Sequence, residues 1–160
     1  MGTLKRQRNA FGKGQAKYKT GSTNGGFGTN PANVKKGSAL TPSDNDEVAL
    51  AGANDLIIGF VDEVDTQNGM VRYLYDYEIQ DILTDGTVAV GSKLVGASDT
   101  NRGLAKGAAG PADATYSDPT SPTVAELKTA ITALQAAFEI SNNARWVVKS
   151  SSAGKATVVP

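Results

Sequence analysis

The residues of this chain that are best suited to chemistry are carboxylates, which occur in small groups along it. Three groups stand out: Asp44, Asp46 and Glu47; Asp62, Glu63 and Asp65; and Asp76 with Glu78. Paired carboxylates can perform acid–base or glycosidic chemistry when an apolar pocket separates their pKa values. These groups fall in predicted turns or at alternating strand positions, so we expect them to be solvated surface charges.

Other residues that catalysis or metal binding would use are missing. The chain contains no histidine and no cysteine, which removes the commonest general base and metal ligand as well as disulfides and thiolate sites. The Asp44–Asp46 group is not a calcium loop, because the required glycine and the distal glutamate are missing. No nucleophile elbow, phosphate loop or dinucleotide fingerprint occurs. We therefore predict a protein that is not an enzyme and that holds no metal or cofactor.

The most distinctive feature of the sequence is instead the unequal distribution of charge between its two parts. The 160 residues include 16 Lys and Arg and 16 Asp and Glu, for a net charge of zero. Residues 1–36 carry eight of the basic residues and no acidic one, so this segment is about +8 and residues 37–160 are about −8. An asymmetry of this size is typical of an interaction tail attached to a folded body.

The basic segment, residues 1–36, is predicted to be an extended N-terminal arm. Its glycines disfavour a helix, since each costs about 1 kcal/mol there relative to alanine, and its few apolar residues cannot offset the entropy of ordering. We expect a partner to order it. The candidate partner-binding residues are the basic and aromatic side chains of the arm: Lys5, Arg6, Arg8, Phe11, Lys13, Lys17, Tyr18, Lys19 and Phe27.

Three uses of the arm are open. Its charge would attract an acidic protein surface or a phosphate backbone, and its aromatics could enter pockets on a protein or stack on bases. A solubilising tail is the third possibility, although it has little use for exposed aromatics. The acidic body would repel a polyanion lying across it, so a protein partner is favoured and nucleic acid is not.

No apolar run approaches the roughly 20 residues that span a bilayer. The N-terminus, MGTLKRQRNAFGKG, follows its positive charges with glycine and lacks the apolar stretch of a secretory signal. We expect a protein that is made and used without secretion and that has no membrane partner.

The body, residues 37–160, is predicted to be mainly β. Short apolar runs separated by turn residues predict strands at 35–41, 48–51, 56–64, 70–77, 87–91, 93–96, 145–149 and 155–159. Residues 78–83 either extend the strand predicted at 70–77 or bend away from it. Residues 97–121 are predicted to form a long loop. One helix is predicted at about 123–140, with Thr123 and Glu126 at the spacing of a capping box. The expected fold is a small antiparallel β-barrel or sandwich with one inserted α-helix and the extended arm.

Apolar side chains recur along the predicted helix at intervals of 4, 3 and 4 residues: Leu127, Ile131, Leu134 and Phe138. We expect this stripe to cover the sheet, with a subunit contact as the alternative. Tyr73, Tyr75 and Tyr77 share one face of a strand, where packing on the sheet is favoured over an interface patch. Trp146 is expected in the core, and Gly59 marks a bulge or a close approach of two backbones.

Parts of the body resemble the capsid decoration, or cement, proteins of tailed phages. Within residues 36–61 the segments KGSALT, EVALA and DLIIGFV are similar to the opening of those proteins. The segment TVAVGSKLV at 87–95 resembles their next portion, and ARWVVKSSSAGKATVV at 144–159 resembles their closing hairpin. The helix with its preceding loop, and the basic arm, lie outside the minimal pattern.

The resemblance implies a small barrel that binds the outer surface of an assembled icosahedral head and bridges neighbouring major capsid subunits. Proteins of this kind are often trimers, so a homo-oligomer, with a trimer favoured, is expected in the virion. The resemblance carries no binding residues over to this chain. Another minor capsid or head–tail joining protein, and a nucleic-acid-binding module that uses the arm, are the alternatives.

Overall fold

The computed structural model describes residues 17–22, as backbone, and residues 34–43, 47–65, 70–110 and 115–160. The described elements, in chain order, are β1 Lys17–Ser22, β2 Ala39–Pro42, β3 Val48–Leu50, β4 Gly59–Asp65, β5 Met70–Asp76, β6 Ile79–Leu83, β7 Leu94–Gly96, β8 Ala105–Gly107, α1 Val124–Asn143, β9 Val147–Ser152 and β10 Lys155–Val159. A mainly β body with a single long helix is therefore confirmed for the described part of the chain.

The described strands form three antiparallel sheets. Five strands are arranged in the order β1-β5-β4-β2-β3, three in the order β6-β10-β9, and β7 pairs with β8. None of these sheets, as far as its strands are described, closes into a barrel. The antiparallel arrangement is as predicted, but the closed barrel that was one version of the prediction is not formed by these strands.

One hydrophobic core joins the three sheets. Trp146 lies at its centre with Phe60 of β4, Ile82 of β6 and Leu94 of β7, and each of these side chains is almost completely buried. The Trp146 and Phe60 rings meet edge to face with centroids 5.1 Å apart. The Trp146 Nε1–H donates a hydrogen bond of 3.1 Å to the carbonyl of Ile57. The expectation that Trp146 belongs to the core is confirmed.

A second apolar cluster lies on the opposite face of the five-stranded sheet. Successive residues of a strand point to opposite faces, and Val61 and Tyr73 belong to this cluster whereas their neighbours Phe60 and Leu74 belong to the first. Tyr75 is half-buried against the same cluster. The packing of Tyr73 and Tyr75 on the sheet is thus confirmed, but Tyr77 lies beyond the end of β5 with a φ of +103° and does not continue the strand face. Burial raises the pKa of Tyr73, with the neighbouring Tyr75 as a smaller cause.

Two strand predictions need correction. Residues 87–91 do not form a strand, because the chain turns there: Ser92 N–H bonds to the carbonyl of Ala89, Gly91 has a φ of +86°, and Val90 is exposed. The predicted loop 97–121 contains a strand, β8, which pairs with β7 through Ala105–Gly107. Short strands such as β8 are stabilised by their partner more than by their own sequence.

The close approach predicted at Gly59 is confirmed. A Cβ added at Gly59 would collide with the carbonyl oxygen of Leu74 in the adjacent strand. Only glycine fits at this position, and the absence of a side chain allows the backbones of β4 and β5 to lie close together.

Candidate functional site

Three of the carboxylates considered for catalysis, Asp62, Glu63 and Glu78, form ion pairs in the structure. The Asp62 side chain is only 3% exposed and contacts two cations: its Oδ1 lies 3.3 Å from Lys36 Nζ, and its Oδ2 accepts a 2.9 Å hydrogen bond from Arg72 Nη2. Arg72 also pairs with the exposed Glu63 at 2.9 Å. The expectation of a solvated carboxylate is wrong for Asp62, because strand β4 turns its side chain towards residues that neutralise it.

Of the two other carboxylate groups, one contains an ion pair and the other lies mostly outside the described residues. Glu78 forms an ion pair with Lys149 of β9, and Asp44 and Asp46 lie outside the described residues. Among the residues that the structure describes, no cluster of three or more acidic side chains is placed to hold a metal ion. Asp62 and Glu78 are thus both held in ion pairs with basic side chains of the body.

The arm is attached to the body at β1. Lys17, Tyr18 and Lys19 of the candidate binding residues lie in this strand, which pairs antiparallel with β5 so that Tyr18 is opposite Leu74 and Lys19 is opposite Tyr73. Among the described strands β1 has β5 as its one neighbour and forms an edge of the sheet. The other candidate binding residues, Lys5, Arg6, Arg8, Phe11, Lys13 and Phe27, lie outside the described residues.

The last residues of the arm are also in contact with the body. Val34 is buried in the second apolar cluster, and Lys36 reaches Asp62 of β4. The carbonyl of Val61 accepts a hydrogen bond from the Gly37 N–H, immediately after the arm. Residues 17–22 therefore form a strand of the sheet and residues 34–36 contact it, although the sequence assigns both segments to the arm by charge.

Helix α1 presents its apolar stripe outwards. Val124, Leu127, Ile131, Leu134 and Phe138 are between 40% and 71% exposed, and among the described side chains of the helix only Ala137 is buried. The expectation that the stripe covers the sheet is wrong. Contiguous exposed apolar side chains of this kind mark interaction surfaces in proteins, so we name these five residues the helix face.

A groove adjoins the helix face near the C-terminal end of α1. It has a volume of about 260 Å³ and is lined on one side by Leu134, Ala137 and Phe138 and on the other by Lys93 and residues 108–110. Lys93 Nζ donates a 3.3 Å hydrogen bond to the carbonyl of Ser141. The body thus holds the last turns of α1 while its apolar side chains stay accessible.

The start of α1 is fixed by the predicted capping box. The Glu126 N–H donates to Thr123 Oγ1 at 3.3 Å, and the Thr123 N–H donates to Glu126 Oε2 at 2.8 Å. The other carboxylate oxygen of Glu126 accepts the N–H of Ser117 at 2.8 Å, which ties the preceding loop to the helix. Hydrogen bonds from Ser117, and then those from Thr123, lower the pKa of Glu126 to about 2.

The lowered pKa of Glu126 predicts an acid-sensitive helix start. Since the folded pKa of about 2 lies below the ordinary value of 4.5, the cap stabilises the protein fully above about pH 4.5 and loses this effect as the pH falls towards 2. We expect the melting temperature, followed by far-ultraviolet circular dichroism, to fall less steeply over this range in Glu126→Gln, which keeps a capping amide but cannot titrate.

Glu139→Gln is the matched control for the loss of one carboxylate from α1 and should retain the acid sensitivity of the unmodified protein. If Glu126→Gln and the unmodified chain lose stability in parallel below pH 4.5, the capping carboxylate is not the group responsible.

The sequence pattern predicts that the helix face is buried against the sheet, whereas it is exposed to solvent. The available signal was its narrowness: the apolar residues are flanked by alanine, glutamine and lysine, whereas a helix that covers a sheet presents a wider apolar surface.

No protein-family model matches the chain, and no curated protein is similar to it. In the described part of the chain, no helix has the length and apolar character needed to cross a membrane.

Proposed function

We propose that this chain is a structural protein of the tailed-phage virion that binds the outer surface of the capsid, bridges major capsid subunits and stabilises the shell, with the N-terminal arm as tether. The single observation that carries the proposal is the attachment of the basic arm to the sheet edge at β1. Residues 1–16, which include Lys5, Arg6, Arg8 and Lys13, precede a fixed point on a folded body.

The charge of the two parts favours a protein surface as the target. The arm is about +8 and the body about −8, so the arm is attracted to an acidic surface while the body is repelled by a polyanion. The missing histidine and cysteine support a non-enzymatic role, and the ion pairs of Asp62 and Glu78 are consistent with it. The resemblance to decoration proteins supplies the capsid as the surface and a trimer as the finer form of the proposal.

The alternative that a specific observation favours is binding of nucleic acid through the arm, because its basic residues are interleaved with Phe11, Tyr18 and Phe27. This rival predicts that affinity for DNA falls by about 0.9 log units per log unit of salt for each phosphate contacted. Fluorescence anisotropy with a labelled DNA, in low salt, tests it directly. The absence of DNA binding in low salt would eliminate this rival.

Deleting residues 1–16 is expected to lower the affinity for capsids by at least about 100-fold, since it removes the tether. The melting temperature should be unchanged, because β1 still covers the edge of β5. Deleting residues 1–30 removes β1 as well and should lower the melting temperature in addition. Binding is measured by co-sedimentation with assembled capsids that lack the protein, and melting by circular dichroism.

A charge-matched pair of variants refines the test. Arg6→Gln with Arg8→Gln should weaken capsid binding by about tenfold. Arg102→Gln with Arg145→Gln makes the same change of charge on the exposed body surface and should leave binding unchanged. Capsid binding that survives the deletion of residues 1–16 would refute the tether, and a complete lack of binding by the unmodified chain would refute the capsid as its partner.

A further inference from the structure

The helix face has the spacing of a coiled-coil seam. Val124, Leu127, Ile131, Leu134 and Phe138 follow one another at intervals of 3, 4, 3 and 4 residues, which is the a and d pattern of a heptad repeat. Val124, Ile131 and Phe138 occupy a positions, and Leu127 and Leu134 occupy d positions. At about 1.5 Å per residue the seam is about 20 Å long.

The residues that flank the seam are uncharged except for one lysine. The positions on either side of it, e and g of the heptad, hold Lys128, Ala130, Gln135 and Ala137. In coiled coils these positions select partners through charge, but here they offer no carboxylate and only one lysine. Two copies of this helix can therefore approach each other without a row of like charges in contact, and an acidic or basic partner gains little.

The helix is preformed and presented by the body. Thr123 and Glu126 cap its start, and Lys93 binds the carbonyl of Ser141 near its end. Ala137 is buried on the side that faces the body, whereas Ile131 is 55% exposed on the seam. Association consequently requires little further ordering of α1, which lowers its entropic cost.

From the seam, its neutral flanks and its exposure, we infer that the helix face is a self-association surface, and that its occupant is α1 of a second copy of this chain. β-Branched residues at two of the three a positions, Val124 and Ile131, with leucine at d favour two helices in a parallel coiled coil, and the resemblance implies three subunits. In either case the apolar side chains of the seam pack against their counterparts. The inference does not depend on the capsid being the partner of the arm.

Light scattering coupled to size exclusion of the full chain tests this inference. The unmodified chain should have the mass of a dimer or trimer. Ile131→Glu places a charge at the middle of the seam and should raise the dissociation constant by at least about 30-fold, which gives a monomer. Ala136→Glu is the matched control, because it introduces the same charge at an exposed position of α1 away from the seam and should leave the mass unchanged.

Cysteine cross-linking locates the contact, since the chain has no cysteine of its own. Ile131→Cys lies at the centre of the seam and should form an interchain disulfide on mild oxidation in a parallel arrangement, in which identical a positions face each other, whereas in an antiparallel arrangement it faces a d position and does not cross-link. Leu134→Cys should likewise form the disulfide only in a parallel arrangement. Ala136→Cys, away from the seam, should remain a free thiol.

Each other result overturns the inference. A monomer of the unmodified chain at high concentration, or an oligomer that persists in Ile131→Glu, would show that α1 is not the interface. Equal cross-linking of Ile131→Cys and Ala136→Cys would show that collisions, not a seam, bring the thiols together. A monomer whose capsid binding is lost in Ile131→Glu would assign the helix face to the capsid instead. Deletion of residues 1–16 should leave the number of subunits unchanged, so failure of the tether and failure of this inference are distinguishable.

Discussion

Trp146→Ala is expected to lower the free energy of unfolding by about 3–5 kcal/mol, which is a large part of the 5–15 kcal/mol or so that stabilises a typical domain. Trp146 is the largest fully buried side chain and belongs to the cluster that joins all three sheets. Its removal leaves a cavity beside Phe60 and deprives the carbonyl of Ile57 of its hydrogen bond. Both effects act on the same contact between the sheets.

Urea unfolding followed by far-ultraviolet circular dichroism measures the loss, because Trp146 is the single tryptophan and its fluorescence disappears with it. Trp146→Phe is the matched control. It keeps an aromatic ring against Phe60 but removes the donor to Ile57, so we expect a smaller loss of about 1–3 kcal/mol. A loss below about 1 kcal/mol for Trp146→Ala would mean that the sheets are not held together through this residue.

Gly96→Ala is expected to destabilise the protein by about 2–3 kcal/mol, although it adds one methyl group. A Cβ at this position would collide with the carbonyl oxygen of Gly52 and lie 3.1 Å from the Cβ of Ala51. Two backbone hydrogen bonds hold the segments together here, from Asn54 N–H to the Gly96 carbonyl at 2.8 Å and from Gly96 N–H to the Asp55 carbonyl at 3.0 Å. The added methyl group can be accommodated only by separating the backbones and weakening both bonds.

Gly110→Ala is the control for Gly96→Ala. Gly110 is exposed, has no heavy atom within 4 Å of an added Cβ and does not have a positive φ, so its replacement should change stability by no more than about 0.5 kcal/mol. Urea unfolding compares the two variants with the unmodified chain. If both substitutions have the same small effect, the approach of β7 to residues 52–55 is looser than the structure shows.

Much of the local structure follows from the sequence. The capping box of Thr123 and Glu126 starts α1 where predicted, and the helix then runs to Asn143. The strands at 48–50, 70–76 and 155–159 lie within their predicted ranges. These features depend on neighbours in the chain, such as turn residues, capping side chains and alternation of apolar positions, so a reading of the sequence can find them.

The direction in which a side chain faces depended on remote segments. Asp62 occupies an alternating strand position that indicated solvent, but Lys36 and Arg72 cover it. Strand β8 exists because β7 pairs with it. Neither outcome is encoded in the residues around the position itself.

The helix face shows the same limit most clearly. Periodicity alone established that Leu127 and Phe138 share one side of α1. The distribution of charged residues along the sequence established the division between a basic arm and an acidic body. Only the tertiary structure decided that this side points away from the sheets, because an apolar stripe gains the same free energy from any apolar surface that covers it. The sequence by itself therefore determined which side chains act together, and the packing of distant segments determined which of them remain available to a partner.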